Sequence, residues 1–415
     1  MAKNSVIYSF GAVFLKGISF ILIPLFTKKL IPAEYGQLEL LNTFSSILST
    51  VLSFGLGQVL FIQYYHMADD QKSKLVEDIV EIYLCLSSPL YLIVTLVVLL
   101  RSESFFGGGL PYFIVCIVTI TTYLSFFQSL FYSVLKISQK ALSVTINQVI
   151  VGIATLIFNM IMVVYLNMKV VGVVYANLIV MIISLIFPLY KYITKINAIN
   201  LRLKLKKIME YLKLGFPFVP GALAAWLIVG IDRWILLKYF NEYEVGIYSI
   251  AGKFASVFQI LIILPILDSY MPFIFKKFSK GEYDQKMRYL LPMVILFSAA
   301  VGYVMFFASK YVVAKSYYPG LYLIPMFTVG YGFYLLSQIA IYPILFQRKT
   351  NLALLSMIGS SVLSVLLNFY FIPKYASKGA VYSFVASYIL LFMINSYLSH
   401  KYSLKMLSSK ASDKN

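Results

Sequence analysis

Lys16, Asp232, Arg233, Lys253 and Asp268 each lie within a long apolar stretch of the sequence. A charge in such surroundings is costly unless it is paired, hydrated or put to use. The cations have the chemistry to hold an anionic group such as a phosphate, and the aspartates to take up a proton or a sodium ion. Asp232 and Arg233 are neighbours in "LIVGIDRWILL", where helical geometry separates adjacent side chains by about 100°. Each is therefore expected to find its main partner elsewhere, with Asp232 also open to orienting Arg233. Arg233 lies near one end of its stretch, so snorkelling to lipid headgroups is an alternative role. Lys253 falls at helical spacing between Ser249 and Ser256, and Asp268 follows on nearly the same face. Pairing with Lys253 and ion binding are both open to Asp268, and structural ion pairs between helices are the competing reading for the whole set.

Neutral polar residues recur at helical spacing as well. One stripe runs through Ser5, Ser9, Ala12, Lys16 and Ser19, and a second through Asn42, Ser46, Ser49, Ser53 and Gly57. A third holds Ser356, Ser360, Ser364 and Asn368. Small residues let membrane helices approach closely, which accounts for much of this pattern. A water-lined cavity is the sharper alternative, with Asn42 as a candidate contact.

The elements that must position these residues are membrane helices. Of 415 residues, 60% are hydrophobic and only 12% charged, where soluble domains carry roughly 25% charged residues. Cut into lengths that cross a hydrocarbon core, the chain gives about twelve spans. They begin near Ser5, Gln37, Ile79, Leu110, Ala141, Val170, Ile208, Glu244, Tyr289, Gly320, Asn351 and Lys378. The first is too long for a signal-peptide core and lacks a small-residue cleavage pattern, so it is expected to persist as a helix. Cys85 and Cys116 fall inside spans and the two histidines, His66 and His400, are isolated, which argues against a disulfide framework and a Cys/His metal site. The net charge of +19 points to membrane topology rather than to nucleic acid. Most basic residues fall on the side that holds both termini, including Lys191 to Lys213 and Lys276 to Arg288, and the positive-inside rule makes that side cytoplasmic. Asp69 and Asp70 read as part of a solvated loop there.

The chain also repeats itself. A shift of 210 residues lays Lys28 on Lys238, Glu34 on Glu244, Gly36 on Gly246, Phe44 on Phe254 and Ser46 on Ser256. Asn159, Gly172, Val174 and Tyr175 recur as Asn368, Gly379, Val381 and Tyr382. Two halves of six spans each would be parallel repeats, a plan used by secondary transporters. The expected division is a first lobe over 1–193, a basic cytoplasmic linker with an amphipathic helix over 194–207, a second lobe over 208–402 and a cytoplasmic tail over 403–415. The shift lays Asp232 on Leu22, Arg233 on Ile23, Lys253 on Thr43 and Asp268 on Gln58. The plan is duplicated and the charges are not, which assigns them to an asymmetric task.

Three stretches carry a family resemblance: "SFGAVFLKGISFILIPLFTKKLIPAEYGQLELLNTF", "LGFPFVP" with "GIDRWILLKYFNEYEVGIYSIAGKFASVF", and "LNFYFIPKYASKGAVYSFVASY". With them the chain resembles polysaccharide exporters of the multidrug/oligosaccharidyl-lipid/polysaccharide (MOP) superfamily, the Wzx-type flippases for O-antigen and related repeat units. The resemblance implies an all-α membrane protein of about twelve helices in two pseudo-symmetric, V-shaped lobes around a cationic cavity. It implies a bacterial inner-membrane location and transport of undecaprenyl-diphosphate-linked oligosaccharides by alternating access. No enzyme activity or cofactor is expected; a proton or sodium gradient resets the carrier. Membrane lipids are the other expected partners, together with a polysaccharide polymerase and chain-length regulator. On this reading Lys16, Asn42, Asp232, Arg233 and Lys253 face substrate, while Asp268 or Asp232 couples the ion. A drug antiporter of the related MATE type, a lipid II flippase and a polytopic polymerase or glycosyltransferase are the alternatives.

Overall fold

A backbone inside hydrocarbon has no water to bond, so each apolar stretch must satisfy its own N–H and C=O groups, and a helix does this within one segment. The computed structural model describes residues 2–68, 71–193, 205–280 and 287–412, and among them every regular element is helical. The first part of the chain forms α1 (Ala2–Lys29), α2 (Pro32–Leu52), α3 (Leu56–Gln63), α4 (Lys72–Leu100), a short α5 (Ser102–Phe106), α6 (Tyr112–Ile137), α7 (Ala141–Asn159), α8 (Lys169–Ile193) and α9 (Leu205–Gly215). The second forms α10 (Phe218–Tyr239), α11 (Glu242–Phe258), α12 (Leu264–Ser279), α13 (Met287–Val312), a one-turn α14 (Tyr318–Leu321), α15 (Ile324–Phe346) and α16 (Thr350–Ser412).

Three of these elements need interpretation as spans. α2 and α3 form one span bent by 49°. α11 and α12 are joined through a π-helical turn at Gln259–Ile263. α16 is two spans joined at Ala376, whose φ of 48° breaks the helix three residues after Pro373. Counted this way, the described residues carry about twelve spans, as composition and length require. The seventh starts later than Ile208. Residues 205–215 form the separate α9, in which Lys206, Lys207 and Lys213 alternate with apolar residues, and α10 begins only after Pro217. Pro220 is tolerated there because the first helical turn has no donor to lose. Asp69, Asp70, residues 194–204 of the linker and residues 413–415 of the tail lie outside the described residues.

The chain divides into two compact units, residues 1–223 and 224–415. In unit 1, α1 packs along α7 while α2, α6 and α8 share a core; in unit 2, α15 is central and packs against α11, α13 and α16. The helix boundaries repeat with the sequence. α1 ends at Lys29 and α10 at Tyr239, and α2 starts at Pro32 and α11 at Glu242, each pair 210 residues apart. α6 and α15 end in the same way. Gln139 (φ 56°) and Arg348 (φ 59°) turn left-handed, and the next amides, of Lys140 and Lys349, bond the carbonyls of Leu135 and Ile344 at 3.0 and 3.1 Å. That is the helix-ending motif in which a left-handed residue lets the chain return to its last carbonyls. A methyl group on Gly172 or on Gly379 would collide with the carbonyl of Met162 or Phe371, so the repeated glycines mark one backbone crossing made twice.

The second span of each unit breaks at the corresponding place by different means. In unit 1 the break falls at Ser53–Gly55, where Phe54 and Gly55 take φ of 46° and 71°. The Leu52 carbonyl freed by the break accepts the Ser87 hydroxyl at 2.6 Å. In unit 2 the π turn is followed by Pro265, at the position of Gly55 under the same shift. Gly55 carries a second constraint: a methyl group there would strike the carbonyl of Gly215 at the end of α9. Gly55→Ala is therefore expected to cost about 1 to 3 kcal/mol through strain and overpacking. Thermal unfolding in detergent should show a lowered midpoint, while Gly17→Ala, which meets no neighbour, should leave it unchanged or slightly raised.

Candidate functional site

α10 and α11 form a helical hairpin that turns at Phe240–Asn241, where the Asn241 side chain accepts the Glu244 amide at 3.2 Å and caps α11. Asp232 lies eight residues before Phe240 and Tyr248 eight after it, so antiparallel geometry places them at one depth. They meet: the Tyr248 hydroxyl donates a short hydrogen bond to Asp232 Oδ2. Asp232 Oδ1 accepts from the Arg233 amide at 2.7 Å and from Arg233 Nη1 at 3.2 Å. The guanidinium also donates to the Val229 carbonyl at 2.6 Å and lies 5.7 Å from the centre of the Tyr248 ring. Asp232 is 1% exposed, so this set of bonds is what makes a buried carboxylate tolerable.

The geometry meets one expectation and corrects another. Asp232 and Arg233 each find a partner elsewhere, in Tyr248 and in the Val229 carbonyl, and they also bond one another because the long arginine side chain folds back along α10. It folds toward Val229, away from the Tyr239 end, which removes the snorkelling role. Tyr248 is the partner that the charges alone did not reveal. Behind it lies a continuous aromatic layer within unit 2: Tyr248 contacts Phe327, Phe327 contacts Phe384, and Phe384 contacts Tyr331 and Tyr388, with ring centres 4.9 to 5.3 Å apart.

Two of the other sequence candidates, Lys253 and Asp268, lie in the same unit as this cluster. Lys253 is half-buried on α11 and Asp268 is exposed on α12. They are fifteen residues apart on one interrupted span, about 22 Å by the helical rise, so they cannot pair with each other. Lys16 is exposed on α1. Asn42 lines a cavity of about 430 Å³ wholly within unit 1, between α2, α6, α7 and α8, and donates to Glu39 Oε1 at 3.1 Å. Ser45, Ser46, Thr121, Thr122, Ser125, Gln128 and Asn177 give the cavity its other polar groups, and its lining holds no charged side chain. Of the second polar stripe, Asn42 and Ser46 thus face a cavity, while Ser49, Ser53 and Gly57 are not part of its lining; the walls from α6 and α8 were missed because their polar residues are spread among apolar ones.

A further polar cluster fixes α9 to unit 1. Asp78, buried on α4, bonds Lys207 Nζ at 2.5 Å and the Tyr211 hydroxyl at 3.0 Å. Burial and the neighbouring Asp78 carboxylate push the Tyr211 phenol upward, so it stays a donor throughout the physiological range. Leu205 and Met209, one turn apart on α9, remain exposed, apolar side chains suited to the membrane interface.

Comparison with known proteins places this arrangement in a class. The fold is shared with an inward-facing multidrug resistance MATE family transporter of the MOP superfamily, with a TM-score of 0.77 at 13% identity over 95% of this chain and 96% of that one. It is shared equally with the lipid II flippase MurJ in an inward closed conformation, with a TM-score of 0.77 at 15% identity over 97% and 90%. An uncharacterized membrane protein of Haemophilus influenzae is 22% identical over 358 residues, 80% of this chain and 84% of that protein. The class this defines is one of fold, a multi-pass helical membrane protein. Within it, the chain belongs to the family of polysaccharide biosynthesis proteins, which it matches over residues 1–278.

Tyr248→Phe removes one donor from a buried carboxylate and is expected to destabilise the protein by about 1.5 to 3 kcal/mol. A lowered thermal midpoint of the purified variant checks this, and an unchanged midpoint would show that the hydroxyl does not hold Asp232.

Proposed function

We propose that this protein is a flippase that moves undecaprenyl-diphosphate-linked oligosaccharide units from the cytoplasmic to the outer leaflet of a bacterial inner membrane, with both termini cytoplasmic. The observation that carries the reading is the meeting of two facts: membership of a polysaccharide-biosynthesis family, and a fold of membrane transporters. Polysaccharides assembled on a lipid carrier inside the cell must cross a bilayer that excludes their hydroxyls, and a multi-pass protein with polar groups at membrane depth supplies the path. Lys16, Arg233 and Lys253 are the intramembrane cations assigned to the diphosphate, Arg233 by exchanging part of its present bonding for the phosphate, and membrane lipid can receive the polyprenyl tail. A polymerase with its chain-length regulator would take the unit after crossing.

The cycle is alternating access reset by a proton or sodium gradient. Of the two carboxylates proposed for coupling, Asp268 is the one open to an ion, since both Asp232 oxygens are already engaged. Asp268→Asn should therefore abolish the gradient-dependent part of transport and leave substrate binding intact; gradient-driven transport at the wild-type rate would remove Asp268 from the mechanism.

Deletion of the protein should trap its lipid-linked oligosaccharide in the inner leaflet, where mass spectrometry of the lipid fraction identifies it and its sugars. A lipid-linked glycan pool unchanged in amount and orientation would sink the proposal, and loss of drug resistance in its place would favour the MATE-type reading.

A further inference from the structure

The cavity in unit 1 lies where unit 2 buries aromatic side chains. Structural equivalences follow from the repeated helix ends: 210 residues for α2 and α11, 209 for α6 and α15, and 207 for α8 and the second span of α16. Under these shifts Val118, Thr122 and Ser125 of the cavity wall correspond to Phe327, Tyr331 and Tyr334, and Asn177 and Met181 correspond to Phe384 and Tyr388. Leu38 corresponds to Tyr248. The aromatic layer of unit 2 thus occupies the very positions that line the cavity of unit 1. Asn42 corresponds to Gly252, which packs against the Phe327 ring, and Thr121 to Gly330, which packs against Phe384. One folding plan is compatible with either a filled or an open interior, so the opening in unit 1 is not a requirement of the fold.

The chemistry of that opening is selective. Asn42 lies ten residues into α2, Thr121 nine into α6 and Asn177 eight into α8, so three helices that run in the same sense bring polar groups to roughly 12 to 15 Å from their starts, close to the middle of a bilayer. Thr121, Thr122 and Ser125 donate to carbonyls of their own helix at 2.6 to 2.7 Å, which leaves their oxygens as acceptors. Gln128 and Asn177 add amides that both donate and accept. The lining offers neither a cation for a phosphate nor a carboxylate for an organic cation. Valine, leucine and methionine side chains supply apolar patches between the polar groups. Hydroxyl groups set on an apolar ring are the complement of such a surface, and the volume is within the roughly 300 to 1,000 Å³ of small-molecule sites.

We propose that this cavity is a binding site for uncharged sugar rings, the subsite that recognises the glycan of the transported lipid apart from its diphosphate. The proposal rests on the flippase reading and deepens it by naming the part of the substrate that unit 1 holds. Unit 2 provides the variants that test it. Val118→Phe and Asn177→Phe each place in unit 1 the side chain that unit 2 carries at the matching position, and since unit 1 has Asn42 and Thr121 where unit 2 has Gly252 and Gly330, the rings crowd those side chains and fill the cavity. Asn177→Ala with Gln128→Ala removes the amides without filling the space.

The experiment measures binding of two probes to the full-length protein in nanodiscs: undecaprenyl diphosphate carrying a neutral oligosaccharide, and undecaprenyl diphosphate alone. The wild type should bind the sugar-bearing lipid at least about tenfold more tightly, the worth of one or two net hydrogen bonds. Each filling variant and the double alanine variant should lose that preference while binding the bare lipid as before, with thermal midpoints that confirm folding. If the variants retain the wild-type preference, or the wild type shows none while binding both lipids, the sugar subsite is overturned and the flippase reading stands. If the wild type binds neither lipid, both fall. Should either phenylalanine variant fail to fold, the double alanine variant decides by the same readout.

Discussion

Every hydrogen-bonding group placed at the middle of a bilayer must find a partner in the protein or in enclosed water, and the organisation of this molecule follows from that constraint. It makes the chain helical throughout its described elements and turns serine and threonine hydroxyls back onto their own helices. It also explains how each interruption is tolerated. The Leu52 carbonyl exposed at the α2–α3 break takes the Ser87 hydroxyl, and the Asp232 carboxylate is enclosed by Tyr248 and Arg233. Where polar groups are left facing a space, as Asn42 and Asn177 are, the space has to be polar too, and the unit 1 cavity is.

Duplication gives the constraint two solutions. The halves share helix boundaries, helix-ending turns and the tight crossing at Gly172 and Gly379, features fixed by backbone geometry. They part company at the side chains that fill the interior. Unit 2 stacks Tyr248, Phe327, Phe384 and Tyr388 and buries a charged pair beside them; unit 1 has Leu22 and Leu38 where unit 2 has Asp232 and Tyr248, and opens a polar cavity nearby. A scaffold conserves interior volume because lost packing costs stability. The cavity of unit 1, set against the aromatic packing of unit 2, is the contrast on which the proposed sugar subsite rests.

Much of this was legible in the sequence, and the rest was obscured for definable reasons. The repeat was visible because Lys28, Glu34, Gly36, Phe44 and the crossing glycine Gly172 recur at nearly constant shifts, and the spans were visible because length and apolarity leave few alternatives. The Asp232–Tyr248 bond was readable in principle from the equal distance of both residues to the hairpin turn at Phe240, but a tyrosine among 34 draws no attention until that turn is located. Helical angles correctly sent Asp232 and Arg233 to partners elsewhere, and the additional bond between them depends on the reach of the arginine side chain, which angles do not show. Treating Lys253 and Asp268 by angle, without the axial rise, brought together two residues about 22 Å apart. The start of the seventh span was misplaced because apolar residues of the amphipathic α9 run almost unbroken into α10. The cavity was half-visible, since the α2 stripe announced itself and the α6 and α8 walls did not.

The account depends above all on movement of a glycan headgroup across a bilayer. The direct measurement is reconstitution of the purified protein into liposomes loaded with a fluorescent undecaprenyl-diphosphate-linked oligosaccharide, followed by the fraction of headgroup that an external, membrane-impermeant quencher reaches over time. The account predicts that the inner-leaflet pool becomes accessible in a protein-dependent manner, faster with an imposed proton or sodium gradient than without one. Headgroup accessibility that stays at the protein-free level, with and without either gradient, would contradict it.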